Sequence, residues 1–199
     1  MKKKLMAIAL CTIIGVMAIA GSSLAWLQDS TQTVVNTFTE GKVDIELKET
    51  GTTTNEGTDY KDYKMVPGDT YSKDPAVTVK AISEKCYVFV KVEEVNNVDG
   101  FLTYAIDDDW TELTEGSGIY YRVVDDTGVD QTFYVLAGNA TYPNGCVSVN
   151  TDVDMDAMNG LTTSGKYPQL KFTAYAVQYA NVDSAAEAWE IFFPTTPTT

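Results

Sequence analysis

Cys86-Tyr87-Val88-Phe89-Val90-Lys91-Val92 is the run that decides the fold. It alternates with a period of two, so Cys86, Val88, Val90 and Val92 share one face while Tyr87, Phe89 and Lys91 share the other. Both faces are apolar at its start, the pattern of a strand covered on both sides. Outward from it, Val43, Ile45 and Leu47 alternate with Lys42, Asp44, Glu46 and Lys48, and Val77, Val79 and Ala81 oppose Thr78 and Lys80. These read as strands with one wet face. Further strands are expected at 34–38, 101–106, 119–124, 132–136, 146–149 and 170–178. Turn signals separate them at 51–57, Asp107-Asp108-Asp109, Gly116-Ser117-Gly118, 125–128, Pro143-Asn144-Gly145 and Ser164-Gly165. The pattern predicts an all-β fold, an antiparallel β-sandwich or jelly roll of about nine strands. One short C-terminal helix is expected, because Ser184-Ala185-Ala186-Glu187 fits a capping box and Ala185, Ala188, Trp189 and Phe192 fall on one helical face.

The chain begins with Lys2, Lys3 and Lys4, an apolar and small-residue run from 5 to 20, and then Gly21-Ser22-Ser23-Leu24-Ala25. Ser23 and Ala25 occupy the small-residue positions of a signal-peptide cleavage site, which makes Trp26 the expected mature N-terminus. The apolar run would span roughly 24 Å as a helix, short of the roughly 30 Å hydrocarbon core, so membrane contact is expected only through the uncleaved leader. This organises the chain as signal peptide 1–25, N-terminal arm 26–40, β-sandwich domain 41–193 and flexible tail 194–199. The expected location is secreted, in an extracellular matrix or at the cell surface.

All 28 acidic residues lie after the cleavage site and three of the 14 cations before it, so the mature net charge is −17. Such a surface repels nucleic acid and anionic lipid within the roughly 8 Å screening length of physiological salt. The chain has no histidine, which removes the commonest general base, the usual catalytic zinc ligand and every Ser-His-Asp or Cys-His arrangement. No catalytic residue and no cofactor is assigned. Two cysteines remain after cleavage, Cys86 and Cys146. A disulfide between them would close a loop of about 60 residues and stabilise by about 4 kcal/mol; two small buried hydrophobes on neighbouring strands is the other reading.

Three constellations invite a functional reading. Asp126-Thr127-Gly128 matches an aspartic-protease loop in a single copy, but a hairpin turn needs the same residue types. Asp152, Asp154 and Asp156 are spaced like the start of a calcium loop, yet Ala157 stands where Gly belongs and Thr163 where a bidentate Glu belongs. A loose calcium site there or at 107–109 competes with a solvated acidic turn, or with a helix start capped by Asp154 and stopped at Gly160. Trp26, Leu27, Val34, Val35 and Phe38 form an apolar-enriched arm around the polar stretch 28–33. That arm is either the first strand of its own sandwich or a strand donated to a neighbour, with main-chain hydrogen bonds giving affinity.

The ordered set Ala25-Trp26-Leu27-Gln28-Asp29, Asn36-Thr37-Phe38-Thr39-Glu40-Gly41, Pro67-Gly68-Asp69 with Lys73-Asp74-Pro75, the run at Cys86, and Ala174-Tyr175-Ala176-Val177-Gln178 before Ala185-Ala186-Glu187-Ala188-Trp189 resembles the TasA and camelysin family of exported proteins. The likeness touches both ends and the first half of the chain. It implies a leader cut by a dedicated signal peptidase and a biofilm-matrix fibre subunit that assembles, with itself or a related matrix subunit, through its N-terminal strand. It also implies, through camelysin, a secreted peptidase, which the absence of histidine and of any His-Glu-x-x-His argues against. An adhesin-like binding module using Tyr120, Tyr121 and Tyr142 is the third expectation.

Overall fold

The computed structural model describes residues 41–55 and 58–193. The expected leader, the arm with its strand at 34–38, and the tail lie outside the described residues. Strand β6 (Cys86–Val95) is the centre of the molecule. It pairs on one side with β12 (Gln169–Gln178) and on the other with β9 (Ile119–Val124), which in turn pairs with β8 (Thr111–Glu112). A second sheet runs β1 (Ile45–Lys48), β5 (Ala76–Val79), β10 (Gln131–Tyr134). A third runs β4 (Thr70–Ser72), β11 (Cys146–Val149), β7 (Leu102–Thr103), and β2 (Thr53–Asn55) forms a hairpin with β3 (Thr58–Tyr60). Every strand pairing among the described residues is antiparallel.

The two faces of β6 do different work, as their alternation requires. Cys86, Val88, Val90 and Val92 pack with Val77, Val79, Val124, Val135 and Trp110 in the core between the first two sheets. Tyr87 and Phe89 point the other way and meet Val177, Ala185, Ala188 and Trp189, the last three on α2 (Ala185–Phe192). The central sheet therefore lies between a sheet and a helix. Ser184 caps α2, its hydroxyl accepting from the Glu187 N–H at 3.2 Å, while Glu187 reaches back to the Asp183 N–H at 2.8 Å. Past the far end of β6, Phe101, Val153 and Leu161 form a small separate core beneath α1 (Met155–Ser164).

The all-β sandwich and the C-terminal helix follow the sequence reading, and β9 and β11 fall on the expected residues. Three local expectations are corrected. The 51–57 turn contains β2, one half of a Thr- and Asn-rich hairpin. The strand at 101–106 is split: only Leu102–Thr103 pairs with β11, and Ile106 makes an isolated bridge to Leu136. A second helix exists, because Asp154 caps α1 through the Ala157 N–H (2.8 Å), and the helix continues past Gly160 to stop at Gly165, where φ is 67°.

Phe89 is fully buried between β6 and α2, so Phe89→Ala is expected to cost about 3–5 kcal/mol. Ser184→Ala, which removes only the cap, should cost about 1 kcal/mol. Urea unfolding of both variants checks the order; equal losses would mean that α2 is not docked as described.

Candidate functional site: an open strand edge

Among the described residues, the ten-residue strand β12 has a strand partner on one side alone, β6. The Tyr179 N–H to Lys85 C=O bond (2.9 Å) fixes the phase of the β6–β12 ladder. Odd-numbered residues of β12 exchange hydrogen bonds with β6, and Leu170, Phe172, Ala174, Ala176 and Gln178 turn their N–H and C=O groups outward. The Lys80 N–H to Asp44 C=O bond (2.9 Å) likewise assigns Glu46 and Lys48 to β5 and leaves Ile45 and Leu47 facing out from β1. Among the described residues neither outer edge has a strand partner, although the two strands come within 8 Å of each other, Cα to Cα. They run in opposite directions: β1 starts, and β12 ends, at the end of the domain where β6 begins.

The side chains along this opening belong to the core but do not finish it. Val43, Ile45, Leu47, Phe172, Ala174 and Ala176 pack against the central cluster and are all only partly buried. From Phe172 to Gln178 the strand carries no charge, proline or glycine, so none of the usual devices that blunt a sheet edge is present there. The opposite edge is treated differently. On β10, the far edge of the β1-β5-β10 sheet, the Tyr134 carbonyl accepts from Trp110 Nε1 at 2.7 Å, and just past the strand Ala137 N–H donates to the Ala105 carbonyl at 2.9 Å.

A buried ion pair sits beside the opening. Lys73 Nζ lies 2.8 Å from Glu49 Oε2, with both side chains 11% exposed, and 5.2 Å from the centre of the Phe172 ring on β12. The Tyr63 hydroxyl donates to Glu49 Oε1 at 2.7 Å, and burial together with that carboxylate pushes its pKa well above the ordinary tyrosine range. The cluster ties the end of β1 to the segment before β5 and rests on β12.

The residues singled out by sequence are dispersed. The arm residues and the cleavage site lie outside the described residues. Cys86 and Cys146 are both free and sit in different sheets; Cys86 is fully buried, and burial pushes its thiol up to about 11. Asp154 is used as a helix cap, and among the described residues no three acidic or cysteine side chains are grouped to hold a metal, at Asp152, Asp154 and Asp156 or elsewhere. Asp126 closes a turn by accepting from the Gly128 N–H at 3.1 Å, and Asp125 pairs with Lys85. Tyr120 and Tyr121 point to opposite faces of β9, the first toward the central core and the second toward Tyr87 and Phe89. Tyr142 lies in the 139–145 loop, its N–H donating to Asn139 Oδ1, so the three tyrosines do not form one surface. No helix among the described residues is long and apolar enough to cross a membrane.

Comparison with known proteins finds no match among family models, curated proteins or solved structures.

Glu49→Gln leaves Lys73 without its counter-charge and is expected to cost about 3 kcal/mol, whereas Glu49→Leu with Lys73→Met costs much less than the sum of the single changes. Denaturant titration of the four-member cycle tests the coupling. In the native mature protein a thiol reagent should modify Cys146 and reach Cys86 only on unfolding. Equal rates at both would contradict the burial of Cys86.

Proposed function

We propose that this chain is a secreted structural subunit of an extracellular-matrix fibre that assembles by strand addition. The supporting observation is that, among the described residues, the outer edge of β12 has no strand partner, and it is bordered by the core residues Phe172, Ala174 and Ala176. An incoming strand would bond to the outward amides and carbonyls of Leu170, Phe172, Ala174, Ala176 and Gln178, and its larger side chains would complete the core above Ala174 and Ala176. The arm at 26–38 has the composition for this, with Trp26, Leu27, Val34, Val35 and Phe38 as apolar anchors. Thirteen extended residues reach about 44 Å, and the ten residues of β12 span about 33 Å.

Direction distinguishes assembly from self-closure. The chain enters the domain at Lys42, whose carbonyl accepts from the Glu84 N–H (2.9 Å), next to the turn that leads into β6. An arm that folds back on its own domain from there runs parallel to β12. An arm that extends into the far end of the next subunit runs antiparallel to that subunit's β12, in keeping with the strand pairings among the described residues. Repetition of such a contact is heterologous and does not close, so it propagates as a filament.

Mature protein (26–199) is expected to form filaments above a threshold concentration, seen by negative-stain microscopy with parallel light scattering. Protein lacking 26–38 should stay monomeric while keeping the near-UV circular dichroism of a packed core. Filaments from the truncated protein at the same threshold would rule out the arm as the linking element.

A further inference from the structure

The end of the domain where the chain enters carries two exposed apolar loop residues that belong to none of the hydrophobic clusters among the described residues. Ile82 and Val129 are each 61% exposed. They lie on neighbouring loops held together through Asp130, whose carboxylate accepts from the Ala81 N–H at 2.8 Å and from Lys80 Nζ at 3.4 Å. The Glu84 to Lys42 hydrogen bond places the root of the arm on the first of these loops. The turns at Asp107-Asp108-Asp109 and Glu115-Gly116-Ser117 are polar, and the turn at Val66 carries one aliphatic side chain, 48% exposed. Two exposed aliphatic side chains on adjoining loops offer apolar area that a neighbouring surface could cover.

We infer that Ile82 and Val129 form a docking contact with a second copy of this chain, the copy that receives the arm. This rests on the strand-addition reading and adds to it a surface outside the strand. The chain length outside the domain fixes the occupant. Phe38 is three residues from Gly41, a span of at most about 10 Å, so a subunit whose edge takes Phe38 must stand against this end of the donor. The receiving subunit offers its opposite end, beyond the start of β12, where Tyr167 is 48% and Met155 is 74% exposed. The strand then supplies linkage and register, and the aliphatic tips supply buried apolar area at the junction. Asp125 and Asp126 border the tips, so the contact must hold against like charge on a neighbour with the same acidic surface.

The test compares mature wild type with Ile82→Asp/Val129→Asp, and with Ile191→Asp, whose side chain is equally exposed at 59% but lies on α2 at the side of the molecule. A second pair, Ile82→Ser/Val129→Ser, guards against a folding defect, and thermal melting confirms the fold of each. Sedimentation gives the critical concentration, and anisotropy of a labelled peptide of residues 26–40 reports strand capture separately. The expected result is a critical concentration at least tenfold higher for both double variants, no change for Ile191→Asp, and peptide affinity equal throughout. A critical concentration within twofold of wild type, with the peptide still captured, overturns the docking contact and leaves strand addition standing. Failure of the wild type to capture the peptide overturns strand addition and this inference with it.

Discussion

The two-sided burial of β6 is the constraint on which the structure depends. Cys86, Val88, Phe89 and Val90 are fully removed from solvent on alternate faces of one strand. Each large apolar side chain so buried contributes on the order of 2 kcal/mol, and none can be satisfied by a single covering layer. One face demands the β1-β5-β10 sheet and the other demands α2. The strand's own amides need neighbours on both sides, which β9 and β12 supply. With both faces and both sides of β6 committed, the sheet ends at β12, and nothing in the described chain continues it.

The treatment of the sheet edges is uneven in a way that bears on function. β8 is only two residues long, and β10 is covered by the 105–110 segment, whereas β12 is ten residues long and, among the described residues, has no outer partner. The chain's net charge of −14 repels neighbouring copies only at separations within about 8 Å in physiological salt, and the stretch from Phe172 to Gln178 adds no charge of its own to that repulsion.

How much of this was legible in the sequence depended on whether the signal was local. β9 and β11 were readable to the residue because apolar alternation is bounded by Gly118 and Asp125, and by Gly145 and Asn150. α2 was readable from its capping box. α1 was legible only as a start at Asp154, because Gly160, Thr162 and Thr163 are poor helix formers; docking of Leu161 on Phe101 carries the helix through them. The β2–β3 hairpin was hidden because Thr, Asn and Asp carry no apolar period. Lys73 gave no sign of burial, since its partner Glu49 is 24 residues away. The same holds for Arg122, the chain's one arginine, which lies inside against the Phe133 ring at 3.7 Å with its Nε lacking a hydrogen-bond partner. Of the candidate site, the arm, readable either as the domain's own first strand or as a donated one, lies outside the described residues, and the edge of β12 is a property of nonlocal pairing that no window of sequence contains.

Hydrogen exchange resolved to single residues along β12, in monomer and in filament, tests the central claim most directly. In the monomer the amides of Phe172, Ala174 and Ala176 should exchange rapidly, while those of Thr173, Tyr175 and Val177, bonded to β6, are protected; in the filament both sets should be protected. Slow exchange of Phe172, Ala174 and Ala176 in dilute monomer would mean that the chain's own arm already covers the edge, and rapid exchange in the filament would mean that assembly does not use it.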